Sequence, residues 1–279
     1  MIPCLGPVIK KLRTRFLRAQ CGAGSDLKVS FVVGGAQKSG TTALDSFLRQ
    51  HPEVCMPHTG KEIHFFDSEN NFIKKPDYAV YHSHFRSLPS HRVIGETTPI
   101  YLYWDLAPAR IWNYNPDMKW IIILRNPVDR AYSDWNMESK RHADPLPFAD
   151  AVARETERCA AALPFQHRVF SYLDRGYYAH QVRRLFRIFG QKNCLILLTE
   201  DLATNHSATL RRVFEFLGVD PNVAPPPKKY SSRLMRTRWI QFCAPDSRHA
   251  STLKFGNWKL SLAVISRLGI PNLGFPNPS

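Results

Sequence analysis

VSFVVGGAQKSGTTALDSFLR, residues 29–49, decides the fold of this chain. Val29 to Val33 is a short, apolar, β-branched run that stops at Gly34-Gly35, as a buried strand does. From Thr42 to Arg49, Ala43, Leu44, Phe47 and Leu48 fall on one helical face until His51-Pro52 breaks the pattern. The stretch therefore reads strand, glycine loop, helix. The same unit recurs at Trp120 to Leu124 (WIIIL), where Asn126-Pro127 then supplies an N-cap and a first-turn proline for a helix through about Lys140. A third pass gives a helix over Tyr177 to Phe189 closed by Gly190, a strand Leu195 to Leu198, and a helix Ala208 to Leu217 closed by Gly218. Val54 to Met56 adds a short strand-like piece. Apolar runs without alternation are strands buried on both faces, so the class is α/β: a P-loop-like parallel sheet with helices on both faces.

With 279 residues, a single large domain is expected. Hydrophobic residues make 44% and charged residues 22% of the chain, which excludes disordered, collagen-like and disulfide-scaffold classes. Lys plus Arg number 38 against 23 Asp plus Glu, a net charge of +15. Such an excess points to anionic partners: phosphate, nucleic acid, sulfated glycan or lipid headgroups. The six cysteines show no CxxC spacing, so neither disulfides nor zinc are expected. No run of 18 apolar residues occurs, and Lys10, Lys11, Arg13 and Arg15 stand where a signal peptide keeps its apolar segment, giving the expectation of a cytoplasmic protein. Residues 1–28 read as a basic N-terminal segment. Within it, residues 5–17 carry Leu5, Val8, Ile9, Leu12 and Phe16 at helical spacing, suited to packing on the domain or to peripheral contact with an anionic membrane. Residues 68–92 and 140–168 are polar, aromatic-rich insertions expected on the substrate side, and residues 220–232 form a proline-rich loop.

The loop Gly35 to Thr42 has the position in which backbone N–H groups and the positive end of a helix cradle a phosphate. Its glycine spacing is that of GxxxxGK[ST], but Thr41 replaces the lysine and Lys38 sits inside the loop instead. In nucleotide triphosphatases a strand-end Asp holds magnesium; here the strand through Leu124 ends in Arg125. A guanidinium at that point suits a second phosphate rather than a metal ion.

These residues resemble the sulfotransferases that use 3′-phosphoadenosine 5′-phosphosulfate (PAPS), and more closely the glycan-modifying branch that includes the heparan sulfate enzymes. Four blocks carry the likeness: QKSGTTAL at Gln37 to Leu44, KEIHFFD at Lys61 to Asp67, GETTPIYL at Gly95 to Leu102, and LRNPVDRAYSDW at Leu124 to Trp135. The resemblance implies a sulfotransferase domain over residues 29–279, with PAPS as donor and no metal. It implies that Lys38, Ser39, Gly40, Thr41 and Thr42 take the 5′-phosphosulfate, and that Arg125 and Ser133 take the 3′-phosphate. Glu62 corresponds to the glutamate proposed as general base, Lys38 to the cation at the bridging oxygen, and His64 to a residue that orients the carboxylate, touches the acceptor or is itself the base. The implied acceptor is a small molecule or a glycan, with nucleic acid not expected.

Two departures stand out. Thr97 occupies the place of a lysine in the heparan-type block, and after Gly218 the likeness fades, leaving residues 220–279 atypical, with Lys228, Lys229, Tyr230 and Arg233 where a further loop is expected. Either the C-terminal part is short or it is incomplete. Phe65, Phe66, Tyr101, Tyr103 and Trp104 leave two roles open, a sugar-binding lining or core packing. The competing readings are a P-loop kinase and a non-catalytic binder of PAPS or polyanions.

Overall fold

The computed structural model describes residues 28–223, 225 and 226. In chain order its elements are β1 (Phe31–Gly35), α1 (Thr41–Leu48), β2 (Val54–Cys55), α2 (Tyr78–His82), β3 (Val93–Thr97), α3 (Ala107–Tyr114), β4 (Lys119–Leu124), α4 (Pro127–Lys140), α5 (Phe148–Ala153), α6 (Glu155–Ala160), α7 (Tyr178–Phe189), β5 (Cys194–Leu198), α8 (Thr199–Thr204) and α9 (His206–Leu217). The five strands form one sheet in the order β2-β3-β1-β4-β5, and every pairing is parallel. All five residues of β1 are buried, as its unbroken apolar run requires of a strand covered on both faces.

Side chains alternate across the sheet and meet a different helical layer on each side. Phe31, Val33, Ile121, Ile123 and Leu197 pack against α1, α8 and α9. Val32, Trp120, Ile122 and Leu124 point the other way, onto α3 and α7. On α9, Leu210, Val213, Phe214 and Leu217 make the buried stripe. Each contributes about 1.5–3 kcal/mol on burial, so packing holds this helix more than its intrinsic propensity does. A satellite cluster of Ala131, Tyr132, Phe148, Ala151, Val152 and Tyr172 fixes α4 and α5 beside the main core.

The chain leaves β1 toward β2 on one flank and leaves β4 toward β5 on the other. Such a reversal opens a crevice outside the carboxyl ends of the two strands, the usual ligand position in an open α/β sheet. The loop after β1 and Arg125 after β4 both stand at this edge.

Helix α4 starts at Pro127, and the Asn126 side chain accepts hydrogen bonds from the N–H groups of Val128 and Asp129. Gly190 (φ 75°) and Gly218 (φ 80°) end α7 and α9. Helix α1 begins one residue earlier than the periodicity predicts, and α9 two residues earlier. Strand β3 and helix α8 have no counterpart in the sequence pattern. Within the insertion at 68–92, Tyr81 and Phe85 are core residues at 0% and 2% exposure rather than part of a substrate face. Phe65, Phe66, Tyr101, Tyr103 and Trp104 are likewise buried, which settles their role as packing. The described cysteines Cys55, Cys159 and Cys194 are unpaired. Among the described residues no helix is long and apolar enough to cross a membrane. The amphipathic reading of residues 5–17 and the expectations at Lys228, Lys229, Tyr230 and Arg233 lie outside the described residues.

Candidate active site

Between β1 and α1 the chain makes a compact turn with Lys38 at φ 67° and Gly40 at φ 96°. At Gly40 the left-handed backbone favours glycine, and the helix that follows has no side-chain cap. Ala43 N–H donates to Gly40 O at 3.0 Å, and among the described residues the N–H groups of Thr41 and Thr42 at the helix start have no such bond. Ser39 faces inward: it is fully buried, its N–H donates to Ala36 O at 3.2 Å, and its carbonyl lies 2.6 Å from Thr199 Oγ1. Thr41 is buried and Thr42 exposed at the helix start. Side chains from distant elements brace the loop and its neighbour Arg125. Thr199 Oγ1 also lies 3.1 Å from Leu124 O. Arg125 Nη1 donates to Lys38 O at 3.2 Å, Tyr178 Oη donates to Arg125 O at 3.0 Å, and Arg175 donates to Gln37 Oε1.

The Lys38 ammonium meets the Met137 thioether at 3.2 Å, and sulfur is a weak acceptor. Burial lowers the pKa of Lys38, Asp134 opposes this, and Arg141 and Lys61 add to it. A half-buried cation on a weak acceptor, beside the N-terminus of an eight-residue helix without a side-chain cap, suits an anionic group. Ser133 is buried on α4 at 4% exposure, and among the described residues no hydrogen bond joins it to Arg125, whose guanidinium turns to the loop instead.

The second half of the site is the segment after β2. Glu62 and His64 both take positive φ, 67° and 56°, and Glu62 N–H donates to Thr97 O at 2.9 Å, docking the segment on the end of β3. Arg49, at the end of α1, holds the approach by donating to Pro57 O at 2.6 Å and Gly60 O at 3.2 Å. The Lys61 ammonium lies 2.6 Å from Glu62 Oε1, and His64 Nε2 lies 3.5 Å from Glu62 Oε2. On its other side His64 Nδ1 lies 3.0 Å from Asp67 Oδ2, which also accepts from Arg168 Nη1 at 2.6 Å. Arg168 in turn lies over the Trp104 ring, 4.2 Å from its centroid.

Burial pushes the Glu62 carboxyl up, but hydrogen bonds from His64 and Lys61 and the charges of both outweigh it and hold the group at about 2. The hydrogen bond to Asp67, then that to Glu62, raises His64 to about 9 against burial. At neutral pH the side chains form an alternating row of charges: ammonium, carboxylate, imidazolium, carboxylate, guanidinium. Beside them Glu96 is fully buried, and desolvation raises it to about 7 although Thr98, Tyr81 and Tyr101 donate to it.

Lys38 and Arg125 are thus joined directly, and Glu62 and His64 form a second joined group. Thr199 and Arg175 brace the first group and Arg168 the second, and none of the three carries a local sequence signal. Among the described residues no group of three or more His, Cys, Asp or Glu side chains is arranged to hold a metal ion.

A family model described as "Sulfotransferase domain" matches residues 29–264. "Bifunctional heparan sulfate N-deacetylase/N-sulfotransferase 2" from Homo sapiens is 32% identical over 199 residues, 68% of this chain and 22% of that protein. "Heparan sulfate glucosamine 3-O-sulfotransferase 3B1" from Mus musculus is 32% identical over 198 residues, 71% of this chain and 48% of that protein. The chain therefore spans less than half the length of these relatives. In the crystal structure of a sulfotransferase from Alicyclobacillus acidocaldarius, 29% identical, the match covers 83% of this chain and 99% of that one at a TM-score of 0.65.

Proposed function

The chain belongs to the sulfotransferase family, and from that premise we propose that it moves the sulfuryl group of PAPS to a hydroxyl of a carbohydrate or glycolipid-like acceptor, with an amine as the second candidate. One observation carries the reading: a phosphate-binding turn with its own lysine and a carboxylate row centred on Glu62 stand beside the carboxyl ends of the same parallel sheet. The carbohydrate part rests on the relatives whose names specify heparan sulfate.

PAPS supplies an activated sulfuryl group on a phosphate that can leave. Lys38 and the N–H groups of Thr41 and Thr42 at the start of α1 hold the phosphosulfate end, and Lys38 offsets the charge that grows on the departing oxygen. Arg125 takes the 3′-phosphate together with the hydroxyl of Ser133, which lies on the helix that follows it. Glu62 takes the proton of the acceptor hydroxyl. His64 keeps its own proton at neutral pH, with a carboxylate facing each ring nitrogen, so its part is to orient Glu62 and not to serve as the base.

The donor half is tested by binding the desulfated product, 3′-phosphoadenosine 5′-phosphate (PAP), to an Arg125→Ala variant. Loss of a charge-assisted bond costs about 1.5–3 kcal/mol, so affinity is expected to fall about ten- to a hundredfold. A folded Arg125→Ala chain that binds PAP as tightly as the parent removes Arg125 from the donor site.

A further inference from the structure

Lys61 belongs to the row of charges at Glu62, yet nothing in the role given to Glu62 requires a lysine there. In an extended strand its side chain and that of Glu62 would point to opposite faces. The left-handed backbone at Glu62 instead brings both to one side, where ammonium and carboxylate meet at 2.6 Å. The Lys61 side chain is only 19% exposed. Its charge also reaches Lys38, where it is one of the cations that lower the lysine's pKa. Two half-buried ammoniums that feel one another repel, and an anion between them relieves that repulsion. Lys38 offers its ammonium to a thioether rather than to a carboxylate, and Asp134 and Glu138 act on it only from a distance.

We propose that Lys61 is a second sulfuryl-binding cation, which exchanges its bond to Glu62 for the peripheral oxygens of the sulfuryl group when the donor binds. This deepens the sulfuryl-transfer reading and rests on it. Lys38 faces the oxygen that bridges sulfur and phosphate, while Lys61 approaches from the acceptor side. By leaving Glu62, Lys61 also makes that carboxylate a better proton acceptor only when a sulfuryl group is in place. The acceptor proton then passes to Glu62, the new oxygen–sulfur bond forms as the bond from sulfur to the bridging oxygen breaks, and that oxygen leaves with the electron pair as part of PAP.

PAPS and PAP differ by the sulfuryl group alone, so comparing them isolates the proposed interaction. Binding of each is measured by calorimetry, without acceptor, on the parent and on Lys61→Met and Lys61→Gln. Both variants are expected to bind PAP within about twofold of the parent, which also shows that they are folded, and to fall about tenfold or more in affinity for PAPS. Lys61→Arg, which keeps the charge, is expected to restore most of the preference for PAPS over PAP. If the variants keep the parental preference for PAPS, or if PAP and PAPS weaken together, Lys61 does not bind the sulfuryl group. A parent chain that binds neither compound overturns the donor reading itself, an outcome separate from either of those.

Discussion

Glu62→Gln is expected to lower turnover by about 10²- to 10⁴-fold, the range for removing a general base, while PAP affinity stays at the parental value. Glutamine keeps the shape of the side chain, and the backbone N–H that docks the segment on Thr97 O is unchanged, but the amide cannot accept the acceptor's proton. The prediction separates Glu62 from His64. In the parent chain His64 lies between Asp67 and Glu62, which together raise it to about 9; in the variant the bond to Asp67, the larger cause, remains and still favours the protonated ring, which is not a base. Initial rates on the best acceptor, measured alongside PAP binding, decide the matter. Near-parental turnover in Glu62→Gln would remove Glu62 from the proton transfer and make His64 the residue to test.

Lys38→Ala has a different signature. Removing a cation aimed at developing charge costs about 10²- to 10³-fold in turnover. In the proposed mechanism the same ammonium also touches the ground-state phosphosulfate, so donor affinity is expected to fall with it, whereas a group that acted only in the transition state would leave binding intact. The substitution also removes the hydrogen bond to the Met137 thioether, a weak acceptor, and this contributes little to stability. A Lys38→Ala chain with parental affinity for PAPS and parental turnover would mean that the loop lysine does not face the donor. If affinity alone fell, Lys38 would serve binding without stabilising the transition state.

The sequence announces the central strands because they are buried on both faces: FVVGG and WIIIL are runs no solvent-facing strand would carry. Strand β3 is hidden for the opposite reason. It reads Val-Ile-Gly-Glu-Thr, with a glycine whose Cβ would lie 2.3 Å from the Phe31 ring and a glutamate buried among tyrosine hydroxyls. Neither residue follows a strand pattern, and both are explained only by neighbours far along the chain. The capping of α4 by Asn126-Pro127 is legible because a cap is a local device.

At the site the division is similar. Lys38, Glu62, His64 and Arg125 sit in recognisable blocks, each attached to a strand end. Arg168 reaches Asp67 from 101 residues away, and Arg175 reaches Gln37 from 138 residues away. Such bonds are made by the tertiary fold, and no spacing rule in a single chain points to them. The positive φ values at Lys38, Glu62 and His64 are equally silent in sequence, since none of these residues is glycine. They mark backbone held away from its ordinary range at the positions to which the chemistry is assigned.

Sulfuryl transfer to a carbohydrate is tested most directly by incubating the chain with PAPS that carries a labelled sulfuryl group. A panel of sugars, sulfated and unsulfated glycans, glycolipids and phenols serves as acceptors, in excess EDTA, with PAP release followed in parallel. The expected result is label on a carbohydrate acceptor, one PAP released for each label transferred, and disappearance of both in Glu62→Gln. Label on phenols alone would contradict the acceptor assignment. Absence of transfer from PAPS, together with magnesium-dependent turnover of ATP, would contradict the reaction itself.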